Sequence, residues 1–272
     1  MPGNGRQRKD DRERMTGRFT GAGVGPGDPG LLTLSAVSLI RECDVLALPV
    51  SDRNFTEPAL AWKEPEETGS RGLNGYLAGC AAYQTALQAV PEISSKPKIF
   101  LPMPMIKDRE TLKEIHDKGA EFVAGVLEQG KDVVFLTLGD PTLYSTCMYI
   151  HKRLKKKGFS TALAAGVPSF CAAAARMDMA LAENREELHI LPASYDIEVG
   201  LALKGTKVLM KAGRNMAEVK RLLTGQELDV GMVENCGMDR ERVFFSAEEI
   251  PEDAGYYSLV VAKERKKKGA GS

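Results

Sequence analysis

The sequence predicts an α/β fold in two domains, the first built on a mostly parallel sheet with helices and the second a mixed α/β unit. Three observations predict it. Up to about residue 180, short apolar runs alternate with helical patterns, the rhythm of a parallel sheet whose strands are joined by helices. Three of the joins are Gly- and Pro-rich strand-to-helix corners: GVGPGDPG at 23–30, LGDPT at 138–142 and AGVPSF at 165–170. Beyond them the helices thin out and candidate strands follow one another. The boundary is therefore placed near 180–187, giving domains 18–182 and 183–263 between tails 1–17 and 264–272.

Residues 1–17 are mostly Gly, Arg, Lys and Asp and are expected to be disordered, with Met15 a second candidate start. The first strand is read at Arg18–Gly23. After the corner, Asp28 is placed as a cap and Pro29 as the first residue of a helix with Leu32, Ala36, Leu39 and Ile40 on its apolar face. DVLALPV at 44–50 is nearly all apolar, as a strand buried on both faces is. Residues 51–97 are less legible, with an exposed excursion around 63–75 and a helical stretch at Tyr76–Ala89. A strand at Lys98–Leu101 precedes a long helix capped by Asp108 and ending at Gly130.

Asp132–Leu138 is the fourth strand. The helix expected after it buries Leu143, Cys147, Ile150 and Leu154, and closes on HKRLKKKG, which sets cations against the negative helix end. A fifth strand at Ser160–Ala164 leads into the alanine-rich helix FCAAAARM. Further strands are read at Leu188–Leu191, Lys207–Met210, Asp229–Val233, Arg242–Phe245 and Tyr257–Ala262.

Bulk properties exclude several function classes. Lys+Arg and Asp+Glu balance at 37 each, which gives no global electrostatic case for nucleic acid or an anionic membrane. No apolar run approaches a membrane span, the N-terminus has no secretory signal, and the expected compartment is cytoplasmic. The 5 cysteines are scattered without a C-x-x-C pair, and the 3 histidines are dispersed. No disulfide framework and no protein-bound metal are expected.

The corners are where a small ligand is expected. In an open α/β sheet ligands sit at the carboxyl ends of the strands. Gly139-Asp140-Pro141 joins a close-approach Gly, a carboxylate and free N–H groups at a helix start. Asp-Pro-Thr is equally an ordinary helix beginning. Gly25-x-Gly27-x-x-Gly30 meets the dinucleotide fingerprint, with Asp52 near the place of a ribose carboxylate, so a nicotinamide-dependent oxidoreductase is a competing reading. Pro26 and Pro29 speak against it, because they remove N–H groups from a pyrophosphate cradle. A binding domain without turnover is a further alternative. No residue of the three corners reads as a nucleophile with an adjacent base, and no His accompanies Ser145 or Ser169, so chemistry here rests on positioning two ligands.

GVGPGDPGLLTLSAVSLIRECDVL, FLTLGDPTLYST and AGVPSF, in this order and spacing, resemble the tetrapyrrole (corrin/porphyrin) methylases over about residues 18–263. Within that family VPSFCAAAA, ELHILPASY (187–195), GYYSLVVAKE and FLPMPMIKDRETL resemble the branch that methylates carbon 20 in cobalamin synthesis. The resemblance implies a homodimeric enzyme with S-adenosylmethionine in a cleft between domains, acting on precorrin-2 or cobalt-factor II, with methylation of another position of the macrocycle as the same-family alternative. It implies a cofactor held by Leu138, Gly139, Asp140, Leu143, Ser145 and Thr146. It adds Ser169 and Phe170, then Tyr195, Met210 and Lys211 from the second domain. Gly25, Pro26, Gly27 and Asp28 would lie along the substrate trough, and Arg18, Lys107, Lys211 and Arg214 are candidates for its carboxylates. No catalytic base is assigned; Asp28, Tyr144 and Tyr195 are open. The chain departs from common relatives at Ala165 and Asp178, where many carry Pro and Gly, and at the 63–75 excursion.

Overall fold

The computed structural model describes residues 16–62, 72–192 and 196–265. Most of the expected tails and of the 63–75 excursion lies outside them, as does Tyr195; Glu264, placed in the tail by the sequence reading, ends the last strand. The described chain divides into two compact units, one ending at Val167 and the other beginning at Pro168.

The first unit is one sheet of six strands: β1 (Phe19–Gly23), β2 (Val45–Val50), β3 (Ala59–Ala61), β4 (Lys98–Pro102), β5 (Val133–Thr137) and β6 (Thr161–Ala164). Their order is β3-β4-β2-β5-β1-β6, and all neighbours are parallel except the edge pair β3–β4. Alternate side chains of each strand feed two cores. Leu46, Leu48, Phe100, Val134 and Leu136 face helices α1 (Leu34–Glu42), α2 (Leu73–Gly79) and α3 (Ala81–Ala89). Val45, Ala47, Ile99, Val133 and Phe135 face α4 (Arg109–Leu127) and α5 (Cys147–Lys157). Burying each large apolar side chain stabilises by roughly 1.5–3 kcal/mol before conformational entropy is charged. With both faces covered, the strands read as apolar runs, and every βα corner falls on the carboxyl edge.

The second unit opens with helix α6 (Ser169–Arg176) and carries a five-stranded sheet. Its strands are β7 (Leu188–Pro192), β8 (Thr206–Met210), β9 (Leu228–Glu234), β10 (Arg242–Phe244) and β11 (Ser258–Glu264), ordered β10-β9-β11-β8-β7. Only β7 and β8 are parallel; the other pairs run antiparallel. Helices α7 (Ile197–Leu201) and α8 (Met216–Leu223) complete it, with Leu201, Met216, Val219 and Leu223 in the core.

Local differences from the sequence reading have physical causes. The division falls after Val167 rather than near 180–187 because α6 belongs with the second sheet; a Cβ on Gly231 of β9 would sit 2.3 Å from the sulfur of Met177 just past α6. Asp28 caps only a 3-10 turn, Pro29–Leu31, and α1 starts afresh at Leu34 with the Thr33 hydroxyl accepting from the Ala36 N–H. The Tyr76–Ala89 stretch is two helices, broken where Cys80 is extended. The helix after the Gly139-Asp140 corner starts at Cys147, so Leu143 lies in a loop. The short edge strand β3 escaped the sequence reading.

Candidate active site

At the carboxyl edge of the first sheet, neighbouring strands β5, β1 and β6 bring three corners together. Gly139 donates its N–H to the Gly25 carbonyl at 2.8 Å, and the two residues form an isolated antiparallel bridge. Both are left-handed, at φ 68° and 74°, where glycine alone is unstrained. A Cβ on Gly166 would lie 2.1 Å from the Gly139 carbonyl oxygen and 2.8 Å from the Gly23 Cα. The corner is thus backbone packed on backbone, with no room for a side chain. Thr33 adds a hydroxyl bond to the Ala165 carbonyl at 3.2 Å.

Asp140 is the buried carboxylate of this cluster, only 8% exposed. One oxygen accepts from both the N–H (2.8 Å) and the hydroxyl of Thr142; the other accepts the Gly166 N–H at 3.0 Å. Burial pushes the carboxyl up, but the Thr142 and Gly166 donors outweigh it and hold the group below its ordinary value. Asp140 therefore clamps the second corner to the third. What the corner offers a ligand is its glycine backbone and the half-buried Leu138 and Leu143 beside it.

The hydroxyl of Ser145 lies 2.8 Å from that of Thr137 and accepts the Cys147 N–H at 3.1 Å, so it caps α5; Thr146, at the cap position, contributes no side-chain bond. Between the two anchored turns, Tyr144 is held at φ 51° and is 47% exposed. A non-glycine residue in that region costs energy and marks a turn fixed by its surroundings. Gly25, Pro26 and Gly27 are buried, and one Asp28 oxygen accepts the Gly30 N–H at 2.8 Å. Arg18 stands at the amino end of β1, bonded to Asp132 and Ser160, on the edge opposite the corners; the expectation that it meets substrate is corrected by strand direction. Exposed Lys107 follows β4 on the corner edge.

In the second unit Ser169 opens α6 and Phe170 is buried. Met210 ends β8, and Lys211 follows it, exposed, at φ 59°. A Cβ on Gly213 would lie 2.2 Å from the Gly255 carbonyl oxygen, so this loop packs tightly on the approach to β11. Buried Glu234 fixes that approach: Oε1 accepts the Gly255 N–H at 2.6 Å, while Oε2 takes Arg242 Nε at 2.8 Å. Next along the chain, Tyr256 and Tyr257 meet edge to face at 5.2 Å. The sequence reading missed Glu234, Arg242 and Gly213, since no local pattern distinguishes them. The Arg214 side chain lies outside the described set.

A family model described as Tetrapyrrole (Corrin/Porphyrin) Methylases matches residues 18–251. The chain belongs to the tetrapyrrole methylases. Solved structures with this fold include a uroporphyrin-III C-methyltransferase of Thermus thermophilus complexed with S-adenyl homocysteine, with TM-score 0.60 and 20% identity over 91% of this chain and 98% of that one. A cobalt precorrin-4 methyltransferase has TM-score 0.61 and 15% identity, over 90% and 94%. Among curated tetrapyrrole methylases, the Methanocaldococcus jannaschii protein named "Probable cobalt-precorrin-2 C(20)-methyltransferase" is 29% identical over 93% of this chain and 99% of its own. A precorrin-2 C(20)-methyltransferase of Sinorhizobium is 28% identical over 90% and 94%. Among the described residues, no helix of this family member is long and apolar enough to cross a membrane.

Proposed function

We propose that the chain is an S-adenosylmethionine-dependent C-methyltransferase acting on carbon 20 of precorrin-2 or cobalt-factor II in corrin synthesis. The supporting observation is the end-to-end match to relatives named for that reaction, over 93% and 90% of the chain. Supporting the cofactor is a corner of bare glycine backbone at the carboxyl edge of the sheet, flanked by half-buried, apolar Leu138 and Leu143. The residues assigned to hold it are Leu138, Gly139, Leu143, Ser145 and Thr146, with Asp140 fixing their backbone, and Ser169, Phe170, Met210 and Lys211 in the second unit. When bound, S-adenosylmethionine supplies a methyl group already activated on a sulfonium. The chain's own task is then to orient two reactants, an effect of roughly 7–11 kcal/mol in well-aligned systems. Gly25–Asp28 are assigned to the substrate. The reading includes a cytoplasmic homodimer.

Turnover with methyl-labelled S-adenosylmethionine, offering precorrin-2 and cobalt-factor II side by side, tests the reaction. Label at carbon 20 of either product is expected. Label at another carbon keeps the family and moves the position, and no transfer to either rejects the reading.

A further inference from the structure

The first unit contains a hollow that the reading above leaves unused. A cavity of about 770 Å³ lies at the carboxyl end of β2, lined by Pro49–Asn54 and by Gly75, Tyr76, Gly79 and Cys80 of α2 and its end. That size suits a small-molecule site. Since β2 lies beside β5 and parallel to it, the hollow opens on the same sheet edge as the Gly139-Asp140 corner.

Its walls are fixed and its helix wall is bare. Asp52 accepts the Asn54 N–H at 2.9 Å with one oxygen and the Tyr76 hydroxyl at 3.1 Å with the other, which fastens the loop to α2. The Tyr76 ring rests on Phe55, with centroids 5.0 Å apart. Asp52 is thereby a wall, not the ribose ligand of the dinucleotide reading. Gly75 and Gly79 are four residues apart on one helix face, where glycine is unfavourable by about 1 kcal/mol each relative to alanine. A Cβ on Gly79 would meet nothing within 4 Å, so neither crowding nor a positive φ demands glycine there. Missing side chains keep the hollow open. At its lip stands Arg53, exposed and forming no ion pair among the described residues, with Ser51 and Asn54 as polar neighbours.

We propose that this hollow is an anion subsite that seats a carboxylate-bearing arm of the macrocycle, with Arg53 as its charge partner. The proposal rests on the tetrapyrrole reading for the ligand's identity, though not on methyl transfer. A planar guanidinium pairs with a carboxylate through two parallel N–H donors, which a lysine does not reproduce. The pre-fastened loop spares the arm the cost of ordering it.

The test is a fluorescence titration of the full chain with uroporphyrin III, a stable carboxylate-rich macrocycle, on Arg53→Glu, Gly79→Leu and Lys156→Glu. Lys156 is an exposed residue at the far end of α5 and carries the same charge change. Arg53→Glu should weaken binding by about tenfold or more, the worth of one charge-assisted hydrogen bond, and Gly79→Leu by a similar factor because its side chain would occupy the hollow. Lys156→Glu, S-adenosylhomocysteine affinity and melting temperature should stay at wild-type values. Unchanged uroporphyrin affinity in Arg53→Glu overturns the charge partner, and in Gly79→Leu the location. An equal loss in Lys156→Glu, or no binding by the wild-type protein, overturns the subsite as well. Variant-specific loss in a protein that leaves precorrin-2 and cobalt-factor II unmethylated retains the subsite and rejects the assigned reaction.

Discussion

The corner of the first unit and that of the second solve one problem with different parts. In the first, Asp140 takes the N–H groups of Thr142 and Gly166 and ties two parallel-strand corners together. In the second, Glu234 takes the Gly255 N–H and an arginine, and ties the start of β11 to the end of β9. Both carboxylates are buried, and both are engaged inside the protein. The lesson is that a buried acidic residue at a corner can serve by fixing backbone, with its oxygens spent on peptide and side-chain donors of the protein itself. The two differ in tolerance: the first corner is closed by glycines on three strands, whereas the second leans on an exposed arginine.

The largest effect expected from breaking this comparison is at Gly166. Gly166→Ala places a Cβ 2.1 Å from the Gly139 carbonyl, a clash with backbone that no rotamer relieves. Overpacking of that kind costs roughly 1–3 kcal/mol or more, and the strain falls on the turn proposed to hold the cofactor. Urea unfolding should register the loss, and isothermal titration with S-adenosylhomocysteine should show affinity falling with it. Wild-type stability in this variant would refute the close-packed corner.

Asp140→Asn comes next. The amide keeps the size but turns one acceptor into a donor, which then faces either Gly166 or Thr142 donors, at about 1–3 kcal/mol. Its pH dependence has a definite sign. The native carboxyl lies below its ordinary value of 3.8, so its contribution is present in full above that pH. As pH falls, the unfolded chain takes up the proton first, and the contribution is gone once the native group is protonated too. The wild-type advantage over Asp140→Asn should therefore be full at pH 7 and shrink in acid; an advantage constant down to the acid limit would mean that the charge is not what the donors hold.

The same comparison shows what a sequence discloses. The first corner was legible because its chemistry is contiguous: Gly139, Asp140 and Pro141 stand together at the end of an apolar run, and the other two corners repeat the pattern. The parallel sheet was legible for the same reason, since strands covered on both faces read as unbroken apolar runs. Glu234, Arg242 and Gly255 come together only when β9, β10 and β11 pair, and no single stretch announces them. Helix starts were the other weak point: two hydroxyl or carboxylate caps in succession, Asp28 and Thr33, or Asp140 and Ser145, put the first turn too early. Arg53 was passed over because a lone surface arginine reads as solvated until the bare α2 wall beside it is seen.

Glu234→Ala sharpens the difference between the corners. It strands the Gly255 N–H and releases Arg242, whose side chain is 51% exposed and can turn to water. Gly255 is itself exposed, so its N–H can also reach water, and the loss expected is the net worth of a hydrogen bond to a carboxylate, about 1.5 kcal/mol. Hydrogen exchange should accelerate at Gly255 and Ser258 while the amides of Gly139 and Gly166 keep their protection. Equal acceleration at both corners would mean that they do not open separately.

The smallest expected effect is at Ser145, whose hydroxyl caps α5 and touches Thr137. Losing a cap costs about 1 kcal/mol, so Ser145→Ala should lower stability by that much. The same residue is assigned to the cofactor, and the two roles separate by comparing two measurements. A hydroxyl that only caps should leave S-adenosylhomocysteine affinity within about twofold of wild type, because the helix still forms and the turn is also held by Asp140. A hydroxyl that also meets the cofactor should lower affinity about tenfold beyond the stability loss, as a hydrogen bond to a bound ligand does. The second result is expected here. The first would place Ser145 with Asp140, as a residue that builds the corner without touching what the corner holds.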